Sequence, residues 1–257
     1  MSGTVAARGT SLLETDGLTL RFGSFTAVNS VSLRIEPGAR QALIGPNGAG
    51  KTTLINLLTG IIAPTAGRIQ FRAADISRLG ADRRARLGIA RTFQINTLFP
   101  RLTPRQTLTL AVIERDGIGG VWWRRLGQRG AIFDEVEDLL QIMRLADCAD
   151  VIVSGLAYGK QRLLEIALAL ASRPSVLLLD EPAAGIPEDE SGDVFAVIEA
   201  LPPEMSVLFI EHDMKLVFRF ARRISVLAQG AILAEGTPGE IARDPRVRAV
   251  YLGGLHV

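Results

Sequence analysis

Cysteine is nearly absent from this sequence, because Cys148 is the single cysteine among 257 residues. One thiol excludes an intramolecular disulfide, and no metal site can be built from spaced cysteines. Chains without a disulfide framework are typical of reducing compartments. We therefore expect a protein of the cell interior whose fold does not depend on covalent cross-links.

Strong charge and long apolar runs are also missing. The net charge is only +2, which gives no support for a nucleic-acid binder that depends on bulk electrostatics. No run approaches the roughly 18 apolar residues of a membrane span. The first residues, MSGTVAARGTSLLE, lack the apolar segment of a secretory signal. With 47% hydrophobic residues, the sequence predicts a soluble cytoplasmic chain with a sizeable core that reaches a membrane only through partners.

Hydrophobic patterning predicts an α/β fold. Continuous or alternating apolar residues predict strands at 18–22, 31–35, 41–44, 68–71, 176–179, 207–210, 224–227 and 231–234. Helical spacing follows at 53–58, through much of 103–149, and at 161–171 and 191–200. Strands that alternate with helices favour a mainly parallel sheet, here with an antiparallel sheet at the front and a helical insertion. The arginines at 83, 84 and 86 are interpreted as a solvated helix face.

Residues 45–52 read GPNGAGKT and fit the phosphate-loop pattern G-x-x-x-x-G-K-[ST]. Glycines let successive backbone N–H groups turn toward one anion, and the following helix adds the positive end of its dipole. We expect Lys51 to reach the β- and γ-phosphates and the Thr52 hydroxyl to ligate Mg²⁺. The alternative, a chance glycine-rich turn, is disfavoured by the apolar strand before it and the periodic helix after it. The predicted binding residues are Asn47, Gly48, Ala49, Gly50, Lys51, Thr52 and Thr53.

A second candidate site follows the apolar strand at 176–179, where the sequence continues with Asp180 and Glu181. The carboxyl end of a parallel strand is where open α/β sheets place ligand groups. Beside a phosphate loop, Asp180 is expected to hold Mg²⁺, and Glu181 to orient or deprotonate the attacking water. The alternative is a solvated strand end with a helix cap.

Together these motifs resemble the nucleotide-binding subunit of an ATP-binding cassette (ABC) transporter, and the likeness covers nearly the whole chain. The resemblance implies a P-loop NTPase (RecA-like) core with a mainly parallel sheet, an N-terminal antiparallel β-subdomain and a helical insertion subdomain. It implies one ABC ATPase domain over residues 11–257, a helical subdomain at about 98–160, and a flexible tail at 1–10. ATP and Mg²⁺ are the implied cofactors.

The resemblance assigns roles to further residues. Phe22 in LRFG matches the aromatic that stacks on adenine, and Val28 is assigned to nucleotide binding with it. Gln94 in ARTFQ matches a glutamine that senses Mg²⁺ and the membrane partner, and His212 in FIEHD matches a histidine that contacts the γ-phosphate. Taken singly, such a Phe is more often core, such a Gln surface, and such a His structural.

The family's signature sequence, LSGGQ, corresponds here to Leu156–Lys160, which we call the signature segment. It keeps the leucine and the second glycine, Gly159, but has Ala157, Tyr158 and Lys160 at the other three positions. In the family this segment starts a helix and covers the γ-phosphate of ATP held by the other subunit. Backbone N–H groups can serve an anion without the serine, and Lys160 is expected to add positive charge. The alternative is a structural turn.

A second departure lies at residues 184–187, where AGIP replaces the SALD common in relatives. The usual aspartate, which serves communication between subunits, is therefore Pro187. The motifs LAYGxQ, RLLEIALAL, DEPAAG, ARTFQ, IEHDM and VYLGG resemble the importers of branched-chain and other hydrophobic amino acids.

This subfamily resemblance implies a set of partners: a second ABC ATPase subunit, identical or different, two membrane-spanning permease subunits, and indirectly a periplasmic solute-binding protein. It places the chain on the cytoplasmic side of the plasma (inner) membrane. The docking groove is expected near residues 94–105. The aromatic and basic loop at 117–125 is expected either to contact the membrane or its subunits, or to close a small core.

Three alternatives stay open at this point. Near relatives move urea or short amides, so the solute is not readable from an ATPase that never touches it. A soluble ABC ATPase without a transport role would usually carry coiled coils or two cassettes, and this chain has neither. A module that closes on ATP with little hydrolysis is suggested by Ala157 and Pro187, whereas Glu181 and His212 weigh against it.

Overall fold

The structure, a computed structural model, describes residues 11–92, 98–117 and 129–252. The chain forms two compact units. Unit 1 contains Met1–Arg84, Ser206–Leu208 and Ala221–Val257, and unit 2 contains Ala85–Met205 and Phe209–Phe220. The predicted tail at 1–10 and most of the predicted aromatic and basic loop at 117–125 lie outside the described residues.

The described elements begin with a run of four strands, and strands and helices alternate in much of the later part of the chain. The strands are β1 (Leu13–Phe22), β2 (Phe25–Val31), β3 (Arg34–Ile35), β4 (Arg40–Ile44), β5 (Ala66–Phe71), β6 (Ala74–Asp75), β7 (Ile89–Arg91), β8 (Val176–Asp180), β9 (Ser206–Ile210), β10 (Arg223–Ala228) and β11 (Ala231–Gly236). The helices are α1 (Lys51–Thr59), α2 (Ala81–Leu87), α3 (Pro104–Arg115), α4 (Arg129–Ile142), α5 (Tyr158–Ala171), α6 (Glu188–Glu199), α7 (Met214–Phe220), α8 (Pro238–Arg243) and α9 (Pro245–Leu252).

Unit 1 contains an antiparallel sheet and part of a mixed sheet. The antiparallel sheet has the order β2-β1-β5-β6, with β3 paired to β1. In the mixed sheet, β4 pairs with β10 in parallel, and β10 pairs with β11 in antiparallel orientation. All five residues of β4 are buried, including the polar Arg40 and Gln41 that precede its apolar residues, so the strand shows no alternation of apolar and polar residues. The predicted N-terminal antiparallel sheet is confirmed.

Unit 2 contains the parallel pair β7 and β8 and most of the helices. Register places Arg91 beside Leu178, so the last residue of β7 lies near the carboxyl end of β8. Phe195 of α6 packs on Phe209 of β9 in an edge-to-face contact and on Phe220 of α7 in a stacked contact, with centroid separations of 5.3 and 5.0 Å. This aromatic cluster joins two helices to the strand between them in the chain.

Three helices of unit 2 are tied together by one charged cluster. Arg115 at the end of α3 donates two hydrogen bonds to Glu135 of α4, at 2.5 and 2.8 Å, and one to the Ala171 carbonyl at the end of α5. Arg173 donates two further bonds to the same Glu135 carboxylate. These interactions hold the pKa of Glu135 below its usual range. Helical structure in much of 103–149 is therefore confirmed for the described residues.

The strand predicted at 31–35 is wrong in its extent. β2 begins at Phe25 and ends at Val31, and β3 resumes only at Arg34. The interruption coincides with the buried side chain of Thr15, whose hydroxyl donates to the Val31 carbonyl and accepts from the Leu33 amide. The Thr15 hydroxyl thus takes the place of a backbone partner between the two strands. A pattern of apolar and polar residues cannot reveal such a side-chain hydrogen bond.

Within residues 11–92, 98–117 and 129–252, no helix has both the length and the apolarity needed to cross a bilayer.

The predicted solvated face of α2 is wrong for one of its three arginines. Arg84 is 1% exposed, while Arg83 and Arg86 are exposed. The Arg84 guanidinium donates to the Leu57 and Leu58 carbonyls at 2.6 and 2.9 Å, and to the Leu79 and Ser77 carbonyls at 2.8 and 3.1 Å. Burial lowers its pKa to about 10. Arg84 therefore donates to carbonyls in the last turn of α1, where the Leu57 carbonyl also accepts from the Gly60 amide.

Replacing Arg84 by methionine should destabilise the protein strongly, because buried carbonyls would lose their donor. We expect the free energy of unfolding to fall by about 3–5 kcal/mol, measured by urea titration. Arg83→Met on the same helix is the control, with an expected change within about 0.5 kcal/mol. Equal stability of the two variants would contradict the assigned role.

Candidate active site

The phosphate loop of unit 1, residues 45–52, joins the buried strand β4 to helix α1. Gly50 immediately precedes the helix with φ of 99°. A Cβ atom on Gly50 would lie 2.5 Å from the Ala27 carbonyl oxygen, so only glycine allows this turn. The N-terminus of α1 has no side-chain cap, whereas α3 and α8 begin with complete capping boxes at Thr103 and Thr237. The first amides of α1 are therefore not engaged by an N-cap side chain.

Lys51 and Thr52 occupy different depths of this loop. Lys51 is buried, and its ammonium group donates to the carbonyls of Gly45 and Pro46 at 2.7 and 3.0 Å. Thr52 is exposed, as are Asn47 and Gly48. The loop thus presents a hydroxyl and an amide side chain to solvent, with a cation held against its backbone. This arrangement is suited to an anionic ligand.

Three other residues of unit 1 belong to the candidate nucleotide region. Phe22 ends β1 and is 55% exposed, so its ring is available for stacking. Val28 is fully buried, so its side chain packs in the core, and its assignment to nucleotide binding stays a prediction. Tyr251 of α9 forms a hydrogen bond with the Gly45 backbone, while burial raises its pKa to about 12. The C-terminal VYLGG motif therefore places its tyrosine against the first residue of the phosphate loop.

In unit 2, β8 ends at Asp180 and leads into residues 180–186, which we call the catalytic loop. The Asp180 carboxylate is paired with Arg91 of β7, with 2.7 Å between Oδ2 and Nη2. Both side chains are less than one-fifth exposed. Carboxylate oxygens at such a strand end are hard donors of the kind that Mg²⁺ prefers.

Glu181 and His212 lie in direct contact. The distance between Glu181 Oε1 and His212 Nε2 is 2.5 Å, and both side chains are more than one-third exposed. Glu181 adopts φ of 50°, an uncommon conformation for a residue with a side chain. Glu181, predicted from its place after an apolar strand, and His212, assigned by the resemblance, are therefore in contact, with their polar ends open to solvent.

The carbonyls of the catalytic loop are held by Arg162 of α5. Its guanidinium donates to the carbonyls of Glu181 and Pro182 at 2.6 and 3.1 Å, with a longer contact to Asp180. The same side chain pairs with Glu165 at 2.6 Å, and both are buried. Burial raises the pKa of Glu165, and its Oε1 atom has no hydrogen-bond partner among the described residues.

The amides on the other side of the loop are held by Glu211. One carboxylate oxygen accepts from the Ala183 amide at 2.9 Å and the other from the His212 amide at 3.1 Å. Glu211 is 6% exposed, and burial raises its pKa while the two amide bonds lower it. It therefore links the loop that carries Glu181 to the segment that carries His212.

The signature segment begins α5. Ala157 is its N-cap and makes no side-chain hydrogen bond, and Tyr158 is 41% exposed. Lys160 donates to the Asp147 carboxylate at 2.9 Å and to the Arg144 carbonyl. In this structure the Lys160 charge is engaged by Asp147, so its predicted role toward phosphate stays a prediction.

The sequence reasoning did not identify Arg91, Arg162 or Glu211. Two signals for them were present in the chain. Glu211 follows the continuous apolar strand β9, as Asp180 ends β8, and Arg162 and Glu165 have the i,i+3 spacing of a helix ion pair. Gln94 lies outside the described residues.

Comparison with protein families gives two matches. The family described as "ABC transporter" matches residues 28–184, which is more than half of the chain. The family described as "Branched-chain amino acid ATP-binding cassette transporter" matches residues 231–257. The second match includes Tyr251, and the first includes the phosphate loop, the signature segment and Glu181.

Two curated relatives cover nearly the whole chain. The high-affinity branched-chain amino acid transport ATP-binding protein BraF of Pseudomonas aeruginosa is 42% identical, over 94% of this chain and 98% of that protein. The protein of the same description named LivG in Escherichia coli K12 is 41% identical with the same coverage. Sequence identity of this size over nearly the whole chain shows that this chain belongs to the same family as these two proteins.

Solved structures agree with this likeness. The crystal structure of a nucleotide-free ATP-binding cassette from an ABC transporter superposes with a TM-score of 0.81 at 28% identity, covering 94% of this chain and 98% of that one. The ADP conformation of an ATP-binding cassette gives a TM-score of 0.80 at 29% identity, covering 95% and 99%. The predicted fold class is therefore confirmed.

The Arg162–Glu165 pair should be needed for stability as a pair. Arg162→Met would leave Glu165 as an unpaired buried charge and the loop carbonyls without a donor, at a cost of about 3–5 kcal/mol of unfolding free energy. Removing both charges in Arg162→Met/Glu165→Met should recover about 1–3 kcal/mol relative to Arg162→Met. Urea titration measures all three proteins.

The single variant Glu165→Met serves as the control, because Arg162 would keep its carbonyl acceptors. It should be the most stable of the variants. A double variant no more stable than Arg162→Met would show that the buried carboxylate is not the source of the loss.

Proposed function

Because this chain belongs to the ABC transporter family, we propose that it is the ATP-hydrolysing subunit of an importer for branched-chain or other hydrophobic amino acids. The observation that carries the proposal is that the full-length relatives and the C-terminal family match name the same solute. Relatives named for branched-chain amino acid transport are 41–42% identical over 94% of the chain, and the separate C-terminal match has the same solute in its description.

Hydrolysis would use residues of unit 2 on the γ-phosphate. The Glu181 carboxylate accepts a proton from, or orients, the water that attacks phosphorus, and His212 stabilises the carboxylate and the phosphate oxygens. Arg162 and Glu211 keep the loop backbone fixed while this proton moves. Because neither side chain of the Glu181–His212 pair is buried, substrate can reach both.

Nucleotide binding would use the phosphate loop, with Lys51 at the β- and γ-phosphates and Phe22 against the base. Thr52 and Asp180 supply a hydroxyl and a carboxylate, which fit Mg²⁺ by donor type. When bound, the ion would neutralise charge on the phosphates. Gln94 is proposed as a further ligand.

The N-terminus of α5 is proposed to act on a second cassette. Ala157 leaves the first amides of α5 without a side-chain cap, so they can donate to the γ-phosphate of ATP held by another subunit. The working form would then be a dimer of ATPases, identical or related, with residues 11–257 as one cassette and a helical subdomain at about 98–160. Two such sites closing on ATP would drive the membrane subunits between conformations.

A groove in unit 2 is proposed as the docking site for a membrane subunit. It has a volume of about 390 Å³ and is lined by Leu102, Arg105, Gln106, Thr109, Leu110 and Phe133. Leu110 and Phe133 are each more than half exposed although apolar, and Phe99 on the preceding segment is 58% exposed. Exposed apolar side chains in a groove are typical of a surface that binds another protein. The chain would thereby lie on the cytoplasmic face of the membrane.

Glu181→Gln should abolish hydrolysis and leave nucleotide binding intact. The amide cannot accept a proton from water, so we expect the ATPase rate to fall by about a hundredfold or more. The ATP dissociation constant should change by less than about threefold, because the phosphate loop is untouched. Purified protein is assayed for phosphate release and for binding of a fluorescent ATP analogue.

Glu199→Gln is the matched control, since Glu199 is exposed at the end of α6. It should hydrolyse ATP at the wild-type rate. In cells that carry Glu181→Gln as their only copy, uptake of labelled leucine should be lost. Normal leucine uptake with lost urea uptake would replace the amino acid by an amide as the solute, and equally slow hydrolysis by wild type and variant would support a non-hydrolysing module.

Leu110→Glu should separate the protein from its membrane partners, because a charge would be buried in the docking groove. When the tagged chain is purified gently from membranes, two polytopic membrane proteins and a second ATPase should copurify with the wild type. The variant should recover about a tenth as much of the polytopic proteins, with unchanged ATP binding.

Leu87→Glu is the control, since it places the same charge on an exposed leucine outside the groove. Its recovery of membrane proteins should equal that of wild type. Equal recovery with Leu110→Glu would move the docking site elsewhere, and wild type recovered with ribosomes or nucleic acid instead would reject a role in transport.

A further inference from the structure

The two places where this chain departs from its family's motifs are in contact. Tyr158, at the position of a signature glycine, is the first residue of α5. Gly185 lies in the catalytic loop, where relatives often have alanine. A Cβ atom built on Gly185 would lie 3.1 Å from each of three atoms of Tyr158, Cε1, Cζ and the hydroxyl oxygen. The tyrosine ring therefore covers the backbone of Gly185.

A side chain at 185 would crowd the Tyr158 ring. The two ring-carbon contacts of 3.1 Å are shorter than ordinary van der Waals separations of about 3.5–4.0 Å, so the ring would have to shift by a few tenths of an ångström. Gly185 also has φ of 77°, in the left-handed region that favours glycine. The residue type at 185 is thus fitted to the ring at 158.

The ring rests on a part of the loop that is closed by two backbone hydrogen bonds. The Ala184 amide donates to the Glu181 carbonyl at 3.0 Å, and the Ile186 amide donates to the Ala183 carbonyl at 3.1 Å. These two turns connect Gly185 to Glu181 through short hydrogen-bonded steps. A side chain that fixes Gly185 therefore also limits the motion of Glu181.

We propose that Tyr158 and Gly185 form a matched pair that holds the first turn of α5 against the catalytic loop. Tyr158 is then a positioning residue, and the loss of the usual signature glycine is compensated by the loss of a side chain at 185. The proposal rests on the proposed function for its consequence: the amides of α5 and the carboxylate of Glu181 are presented as one rigid group. The contact between Tyr158 and Gly185 can itself be tested without measuring hydrolysis.

The structural test is hydrogen exchange of the purified full chain, followed in peptides that contain residues 181–187. Tyr158→Ala removes the ring but keeps a good helix former, and exchange of the loop amides should rise about tenfold. Tyr158→Phe retains the ring and should exchange within about twofold of wild type. Tyr158 is 41% exposed, so its truncation leaves the core intact. Unchanged exchange in Tyr158→Ala would overturn the proposal.

The second test is a double-mutant cycle with Gly185→Ala, read by ATPase kinetics. Each single variant should lower kcat by about fivefold to tenfold with KM for ATP changed less than about twofold, because the phosphate loop is not altered. In the Tyr158→Ala background, the factor by which Gly185→Ala lowers kcat should be at least about three times smaller than in the wild-type background. If the two single losses of kcat simply multiply in the double variant, the pairing is overturned. Tyr158→Phe, which retains the ring, should keep the wild-type kcat.

Gly117→Ala is the control for backbone strain, since Gly117 has φ of 65° and a Cβ atom there would meet nothing within 4 Å among the described residues. The shift in its urea midpoint gives the effect of positive φ alone. Gly185→Ala should shift the midpoint further, and an equal shift would remove the ring contact as a cause. If wild type itself shows no ATPase activity, the proposed function fails, and the exchange experiment still decides the pair.

Discussion

The catalytic loop is held between two buried side chains of opposite charge, and the geometry of the unit 2 site depends on this constraint. Arg162 takes the carbonyls of Glu181 and Pro182, and Glu211 takes the amide of Ala183. A sharp loop after a strand cannot pair its backbone groups in a ladder, so other partners are required. Here those partners come from α5 and from the segment after β9. Each also belongs to an element that carries a candidate functional group.

This way of fixing a loop leaves one buried polar atom without a hydrogen bond among the described residues. Arg162 brings with it the buried Glu165, whose second oxygen lacks a hydrogen-bond partner in the described part of the chain and whose pKa is raised by burial. A buried ion pair contributes little net stability and chiefly fixes one arrangement of the groups around it. The far end of α5 is anchored as well, because Arg115 binds the Ala171 carbonyl and Glu135. The helix that positions the catalytic loop is therefore secured at both ends.

Much of this architecture was predictable because it depends on local pattern. Continuous apolar runs identified β8 and β9, and a motif with fixed spacing identified the phosphate loop after β4. Backbone chemistry of this kind needs particular residues at particular separations, so sequence alone exposes it. The resemblance to a known family then supplied His212, which spacing alone would not have assigned.

The residues that escaped prediction act over long sequence separations. Arg84 reads as one of three arginines on a short helix, and only the fold places it against carbonyls of α1. Glu211 contacts an amide 28 residues away. The break between β2 and β3 depends on the hydroxyl of Thr15, on a neighbouring strand. Hydrophobic patterns show which face of an element is apolar, whereas these side chains are buried because their polar groups hydrogen-bond to the backbone of other segments.

The backbone of Glu181 has a consequence for protein engineering. Its φ of 50° lies where a residue with a side chain is strained by about 1–3 kcal/mol. Glycine or asparagine would relieve this strain, so a screen for heat resistance alone would favour replacing the carboxylate. The most thermostable clones at this position would then be those with the least turnover. Directed evolution of this protein toward stability therefore needs a hydrolysis assay in every round.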